Sequence, residues 1–299
     1  MSLFEGFTAR QVNVGEVTLQ ARIGGSGPPL LLLHGHPQTH AMWHHVAPAL
    51  ARHYTVVLAD LRGYGDSSKP EGDADGTAYT KRLMAADMVQ LMQHFGFARF
   101  RLAAHDRGAR VAHRLALDHP DQVQAMVLLD IAPTLDMYSQ ASERFARAYW
   151  HWFFLIQPAP LPERLIQADP AAYVREVMGR RHAGLSVFAP EALAEYERCA
   201  ALPGTATGIC GDYRASAGLD LALDRQDRAE GRQLTMPLHV LWGAHGAVHR
   251  CFDVLTLWRN VAGCVSGRPL DCGHYLAEER PTEVTAAILD FFAGHRAQH

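Results

Sequence analysis

Phe100-Arg101-Leu102-Ala103-Ala104-His105-Asp106-Arg107-Gly108-Ala109-Arg110-Val111 is the stretch that decides the architecture. A short, largely apolar run ends at Ala104, a turn follows, and a helical pattern continues through Leu117. A strand buried on both faces thus enters a sharp turn and leaves as a helix. Small residues two before and two after Asp106 suit such a turn, because neighbouring backbone comes close to it. Asp106 would stand at a helix N-terminus, whose dipole favours the ionised carboxylate. A carboxylate held there can attack carbon and form an ester, which divides one hard displacement into two easier steps. The plainer alternative is an N-cap, the commonest role of Asp before a helix.

Working outward, other apolar runs have the same character. Pro29–Leu33, Thr55–Ala59, Ala125–Leu129 and Leu238–Trp242 predict strands buried on both faces, as in a parallel sheet. Gln11–Val14 and Val17–Ile23 predict a hairpin around Gly15-Glu16, ended by the turn Gly24-Gly25-Ser26-Gly27. In Tyr79–Phe95, Met84, Met88, Leu91, Met92 and Phe95 keep one helical face, and Gly96 stops it. Strands alternating with helices predict an α/β fold, a mostly parallel sheet flanked by helices, with ligands beyond the carboxyl ends of the strands. The alternation breaks after Asp130. Residues 133–228 are helical in pattern and rich in Trp, Tyr and Pro, which predicts an inserted cap closing a pocket. The core is then 1–132 together with 229–299.

The strand ends supply partners for Asp106. Leu33-His34-Gly35-His36-Pro37 is placed to offer the His36 N–H to an oxyanion, with the backbone of Arg107 offering the other. Asp271-Cys272-Gly273-His274-Tyr275 puts His274 in a turn before the last helix as the candidate base. No carboxylate follows the strand at Leu241, so Asp130, at the end of Val127-Leu128-Leu129, is the one available to orient that imidazole.

Composition narrows the partners. The net charge is −3, so no electrostatic footprint for nucleic acid or an anionic membrane is present, and an anionic ligand would need local cations. Cys199, Cys210, Cys251, Cys264 and Cys272 are odd in number and lack metal-site spacing, as expected of reduced thiols in a cytoplasm. Met1–Arg10 has no signal-peptide pattern, and no apolar run is long enough to span a bilayer. His34, His36, His40, His44 and His45 crowd together, but without a nearby carboxylate or cysteine they are taken as surface and loop residues rather than a metal site. Gly63-Tyr64-Gly65-Asp66-Ser67 lacks a third glycine and is taken as a turn, and Cys272 as a small apolar filler. Neither metal nor cofactor is implied.

With these residues in place the chain resembles the fluoroacetate (haloacetate) dehalogenases of the α/β-hydrolase fold. The resemblance is carried by His105–Arg110, Leu129-Asp130-Ile131, Ala148–Trp152, Gln157–Pro160 and Cys210–Ala215, and it extends over essentially the whole chain. It implies removal of halide from a small haloacid through an ester on Asp106. Arg107 and Arg110 would clamp the substrate carboxylate, and His151, Trp152 and Tyr213 would donate to the leaving halide. It also implies a homodimer. Paired guanidinium groups suit a carboxylate, and fluoride, a strong acceptor, needs several donors in a dry pocket. Two departures bear on substrate preference: His36 stands where the family often has Phe, and Met178-Gly179-Arg180-Arg181-His182 brings arginine to the place of a pocket tryptophan. The competing readings are an epoxide hydrolase, which needs two cap tyrosines where only Tyr213 is evident, and a ligand-binding homologue without turnover.

Overall fold

The computed structural model describes residues 3–295; the outermost residues of the expected core, 1–2 and 296–299, lie outside that range. Eight strands form one sheet: β1 (Phe7–Asn13), β2 (Thr18–Gly24), β3 (Pro29–Leu33), β4 (Thr55–Ala59), β5 (Phe100–His105), β6 (Val123–Leu129), β7 (Leu238–Gly243) and β8 (Val265–Leu270). Their spatial order is β1-β2-β4-β3-β5-β6-β7-β8. Only the β1–β2 and β2–β4 pairings are antiparallel. From β4 to β8 the strands run parallel. This is the α/β architecture expected, and the uninterrupted apolar runs are its cause: Leu30–Leu33, Val56–Ala59 and Phe100–His105 are buried along their whole length.

After β3 the chain goes to β4 on one side of it and then returns to β5 on the other. The carboxyl ends of β3 and β5 therefore flank the point where strand order reverses, and the loops leaving them diverge around a crevice. The His34-Gly35-His36 loop leaves β3 there, and the helix Asp106–Asp118 leaves β5. The helix expected over 79–95 forms at Lys81–His94, opened by the Thr80 hydroxyl, which accepts from the Leu83 N–H. Gly96 follows at φ +83°, the left-handed conformation that stops a helix.

Between β6 and β7 the chain is helical, from Thr134 to Ala229. The helices lie over the strand ends. One attachment joins Tyr196, in the helix Pro190–Ala200, to Glu278 of the core: the tyrosine hydroxyl donates to Oε1 at 2.5 Å, and Gln38 donates to the same oxygen at 3.3 Å. The clustered histidines correct the expectation of a surface role. His34, His36, His40 and His44 are all buried. His34 donates to or accepts from its neighbours through both ring nitrogens, and His40 pairs with Asp60 at 2.8 Å. A carboxylate does approach the cluster, since His44, His45 and Glu278 lie together, but it comes from the far end of the chain. Cys272 is buried as a filler should be, and the five cysteines are unpaired. Among the described residues no helix is long and apolar enough to cross a membrane.

Burial pushes the Glu278 carboxyl up to about 8, with the Tyr196 hydrogen bond opposing. Its neutral form is the one the fold favours. That contribution is fully present below the ordinary value of 4.5 and is lost as pH rises through about 8. Stability should fall across this window by up to about 1.4 kcal/mol per pH unit. Glu278→Gln should flatten the decline in thermal melts taken from pH 5 to 9; parallel declines in both proteins would show that another group titrates.

Candidate active site

Asp106 occupies the turn between β5 and its helix with φ +44°, a left-handed conformation costly to a residue with a side chain. The turn is possible because its surroundings are small. A Cβ on Gly108 would press on the His34 carbonyl and lie 2.7 Å from the Leu33 Cβ, and one on Gly35 would lie 2.5 Å from the Asp106 Cβ. The Gly108 N–H donates to the His34 carbonyl at 2.8 Å, which locks the helix onto the β3 loop. The strain aims the carboxylate across the crevice, where Oδ1 accepts the His36 N–H at 3.0 Å. Burial alone would raise the Asp106 pKa. His274, His105, Arg107 and Arg110 outweigh it and hold the carboxyl well below the usual carboxylate range. These neighbours favour the ionised form of Asp106.

His274 stands on the loop after β8, buried, with Nδ1 2.6 Å from Asp130 Oδ2. Asp130 itself has φ +50°, and its other oxygen accepts the Gly243 N–H at 3.0 Å. The carboxylate at the end of β6 thus holds the His274 ring, in place of one after β7. His105 braces the far side, its Nε2 2.9 Å from the His274 carbonyl and its ring 4.6 Å from the imidazole. Asp106, His274 and Asp130, chosen from chain order and strand ends, are brought together.

The two arginines fare differently. Arg107 is fully buried and bound to Asp212 of the cap helix Thr205–Ala217, with Nη2–Oδ1 at 2.7 Å and Nε–Oδ2 at 2.9 Å. Its Nη2 also donates to the Ser216 hydroxyl at 2.5 Å, and its guanidinium lies 4.0 Å from the Tyr213 ring centroid. Only Nη1 is left buried without a partner. Asp212 also accepts from the Tyr64 hydroxyl at 2.6 Å and from the Lys81 ammonium. Arg107 is therefore first a fastening between cap and core. Arg110 donates to the Thr134 hydroxyl and the Met137 sulfur, lies 4.6 Å from the Trp152 ring centroid, and has no carboxylate partner among the described residues. Burial and the neighbouring Arg107 charge both lower its pKa, so an anion beside it would be stabilising.

The cap brings an aromatic cluster over these groups. His151 stacks on His36 at 6.0 Å, and Tyr213 meets the edges of both rings. Trp152 packs 6.3 Å from Tyr213. The Trp152 Nε1 and the Tyr213 hydroxyl are buried with no partner, two donors left open. So is the hydroxyl of Tyr149, whose ring lies 5.4 Å from His151 and 6.2 Å from His274. Tyr149 is the second cap tyrosine that the sequence did not make evident; its spacing of three from Trp152 was the available signal. His36 is brought down to about 3 by burial, so its ring stays neutral, with Nε2 3.0 Å from the Tyr173 hydroxyl. Gly63–Ser67 is a turn as expected, though Tyr64 within it reaches Asp212. Asp212, Lys81 and Tyr64 had no local signal.

Beside this cluster a cavity of 270 Å³ reaches the buried His151 and His274 from the exposed Arg147, Arg180 and Arg250, with Arg181 between them.

A strained residue between strand and helix, a carboxylate-held histidine on the last strand's loop and a helical insertion over the sheet define an α/β hydrolase, and a family model described as the alpha/beta hydrolase fold matches residues 28–281. The chain is 45% identical to a fluoroacetate dehalogenase of Burkholderia sp, over 99% of its own length and 97% of the relative's. It belongs to the fluoroacetate dehalogenase family of that fold. It is also 35% identical to a soluble epoxide hydrolase of Corynebacterium sp. (strain C12), over 96% of this chain and 97% of that one. Among solved structures, an α/β hydrolase of Nostoc sp PCC 7120 superposes with a TM-score of 0.92 at 50% identity, covering 96% and 98% of the two chains.

The shared carboxylate of Asp212 makes a stability prediction. Asp212→Asn leaves Arg107 buried without its counter-charge and Lys81 with only Asp220, 3.7 Å away, which costs about 3–5 kcal/mol. Urea unfolding should register a loss of that size; an unchanged midpoint would show that the cap is held elsewhere.

Proposed function

We propose that the chain hydrolyses the carbon–halogen bond of small 2-haloacids, haloacetates including fluoroacetate, to the hydroxyacid and halide through an ester on Asp106. The observation that carries this reading is Arg110, a buried cation without a carboxylate partner among the described residues, one helical turn beyond Asp106. An isolated buried charge is costly, and a substrate carboxylate supplies what is missing. Arg110 and the open Nη1 of Arg107 take the carboxylate. The α-carbon then faces Asp106, and the halogen turns to Trp152, Tyr213 and His151. Asp106 attacks that carbon as halide leaves with the bonding electrons. His274, its cation balanced by Asp130, takes a proton from water, which adds to the ester carbonyl. The N–H groups of His36 and Arg107 steady the resulting oxyanion. Cleavage of the ester frees the hydroxyacid and restores Asp106.

Tyr149 favours a second reading. With Tyr213 it provides two hydroxyls beside His151, the donors an epoxide oxygen would need. Arg110 has no use in that chemistry. A non-catalytic binding role is disfavoured by the intact Asp106, His274 and Asp130 set.

His274→Ala should accumulate the ester, because attack by Asp106 needs no base and hydrolysis does. Intact mass spectrometry after bromoacetate should show a carboxymethyl adduct, absent in Asp106→Asn. An adduct from styrene oxide alone would transfer the assignment to epoxide hydrolysis.

The halide donors give a second check. Fluoride concentrates its charge, so losing one preorganised donor should cost on the order of 3 kcal/mol, roughly a hundredfold in rate. Bromide is diffuse and leaves readily. Tyr213→Phe and Trp152→Phe should therefore slow fluoroacetate far more than bromoacetate, measured by halide release under saturation. Equal losses would reassign both residues to packing of the cap.

A further inference from the structure

The cavity that leads to His274 is lined by Arg147, Arg180, Arg181 and Arg250, and no carboxylate lines it. The whole chain carries a net charge of −3, so this concentration of cations is local. Two of the four are offset on their own helices: Arg147 pairs with Glu143 and Arg180 with Glu176, each at 2.7 Å. The other two have no carboxylate partner among the described residues. Arg250, at the exposed end, donates to the His245 carbonyl at 2.8 Å. Arg181, half-buried, lines the same cavity as His274 and lies 4.6 Å from the Tyr149 ring centroid. The neighbouring His182 and His245 rings stack at 4.2 Å, and His245 is held by the exposed Asp271 at 2.7 Å.

Arg181 and Arg110 lie over adjacent rings, Tyr149 and Trp152, whose centroids are 5.7 Å apart. Two guanidinium groups, neither with a carboxylate within ion-pair distance among the described residues, thus stand over one aromatic pair, with Asp106 and Asp130 favouring the Arg181 charge from farther off. A haloacetate has a single carboxylate, and a second one would give each guanidinium its own. We infer that Arg181, assisted by Arg250, forms a second anion subsite, and that the acids best accommodated carry a second carboxylate: four-carbon 2-halo dicarboxylates. This inference rests on the dehalogenase reading for the reacting bond. With 2-bromosuccinate, the Asp106 oxygen bonds to C2 as the C–Br bond breaks and bromide departs. Water then adds to the aspartyl carbonyl, and the ester C–O bond cleaves to give 2-hydroxysuccinate and a proton. The distal carboxylate stays on Arg181 throughout and takes no part in bond making.

Binding of unreactive acids tests the subsite without turnover. Calorimetry should show succinate binding on the order of tenfold more tightly than butyrate, the value of one charge-assisted contact. In Arg181→Met that advantage should vanish while butyrate affinity holds. Arg250→Met, altered only at the exposed rim, should reduce succinate affinity by a smaller factor. Bromide release should follow, with the KM for 2-bromosuccinate rising about tenfold in Arg181→Met and that for 2-bromobutyrate holding. Equal binding of succinate and butyrate, or a preference that survives Arg181→Met, overturns the subsite. Succinate preference without halide release from any acid would keep the subsite and remove the dehalogenase reading. Bromoacetate turnover without succinate preference would do the opposite.

Discussion

The buried pair between Arg107 and Asp212 is the contact on which the rest of the site depends. One partner directly follows Asp106, the other lies on a cap helix, and neither is exposed. Asp212 also gathers Tyr64 and Lys81, so a single carboxylate fastens the cap to three separate pieces of the core. Removing two opposite charges from water is offset only by close geometry and further hydrogen bonds, and both are present. The pair also sets the electrostatics of the pocket. Asp212 offsets much of the Arg107 charge, whereas Arg110 has no carboxylate partner among the described residues.

The sheet provides a different constraint, rigidity at two strained points. Asp106 and Asp130 are the non-glycine residues with positive φ among the described residues, and both end central parallel strands. Conformations of this kind persist only when the surroundings over-determine them. Here the strands are buried throughout, the Gly108 N–H is tied to His34, and Asp130 accepts from Gly243. The strain fixes Asp106 at the end of β5 and sets the Asp130 carboxylate against His274. Preorganisation of this sort lets a carboxylate remain charged in a dry site and still meet its electrophile in one orientation.

The cap contributes shape and donors rather than bond-making groups. Trp152, Tyr213 and Tyr149 each keep a polar atom buried and unpaired, an arrangement costly in an empty core and useful where a ligand atom completes it. The basic cavity beside them reaches the loop bearing His274, so an anion entering it meets positive charge.

Much of the fold and of the candidate site is legible in the residues alone. The continuous apolar runs mark which segments become buried strands, since a two-sided strand tolerates little else. The spacing of small residues around Asp106 exposes the elbow because the steric demand is local. Asp106, His274 and Asp130 follow from being at strand ends in the right order. Other features have no local trace. Asp212 lies 105 residues from Arg107 in the chain, and no periodicity couples them. The histidines near the β3 loop resemble surface residues because their partners, Asp60 and Glu278, come from other parts of the chain. Tyr149 and Arg181 acquire their roles only when the cap helices fold back over the strand ends. Sequence determined each element and the chemistry at its end, because backbone sterics and burial act within a few residues. Tertiary structure alone decided which charges neutralise one another and which remain open for a ligand, because pairing depends on distances between segments far apart in the chain.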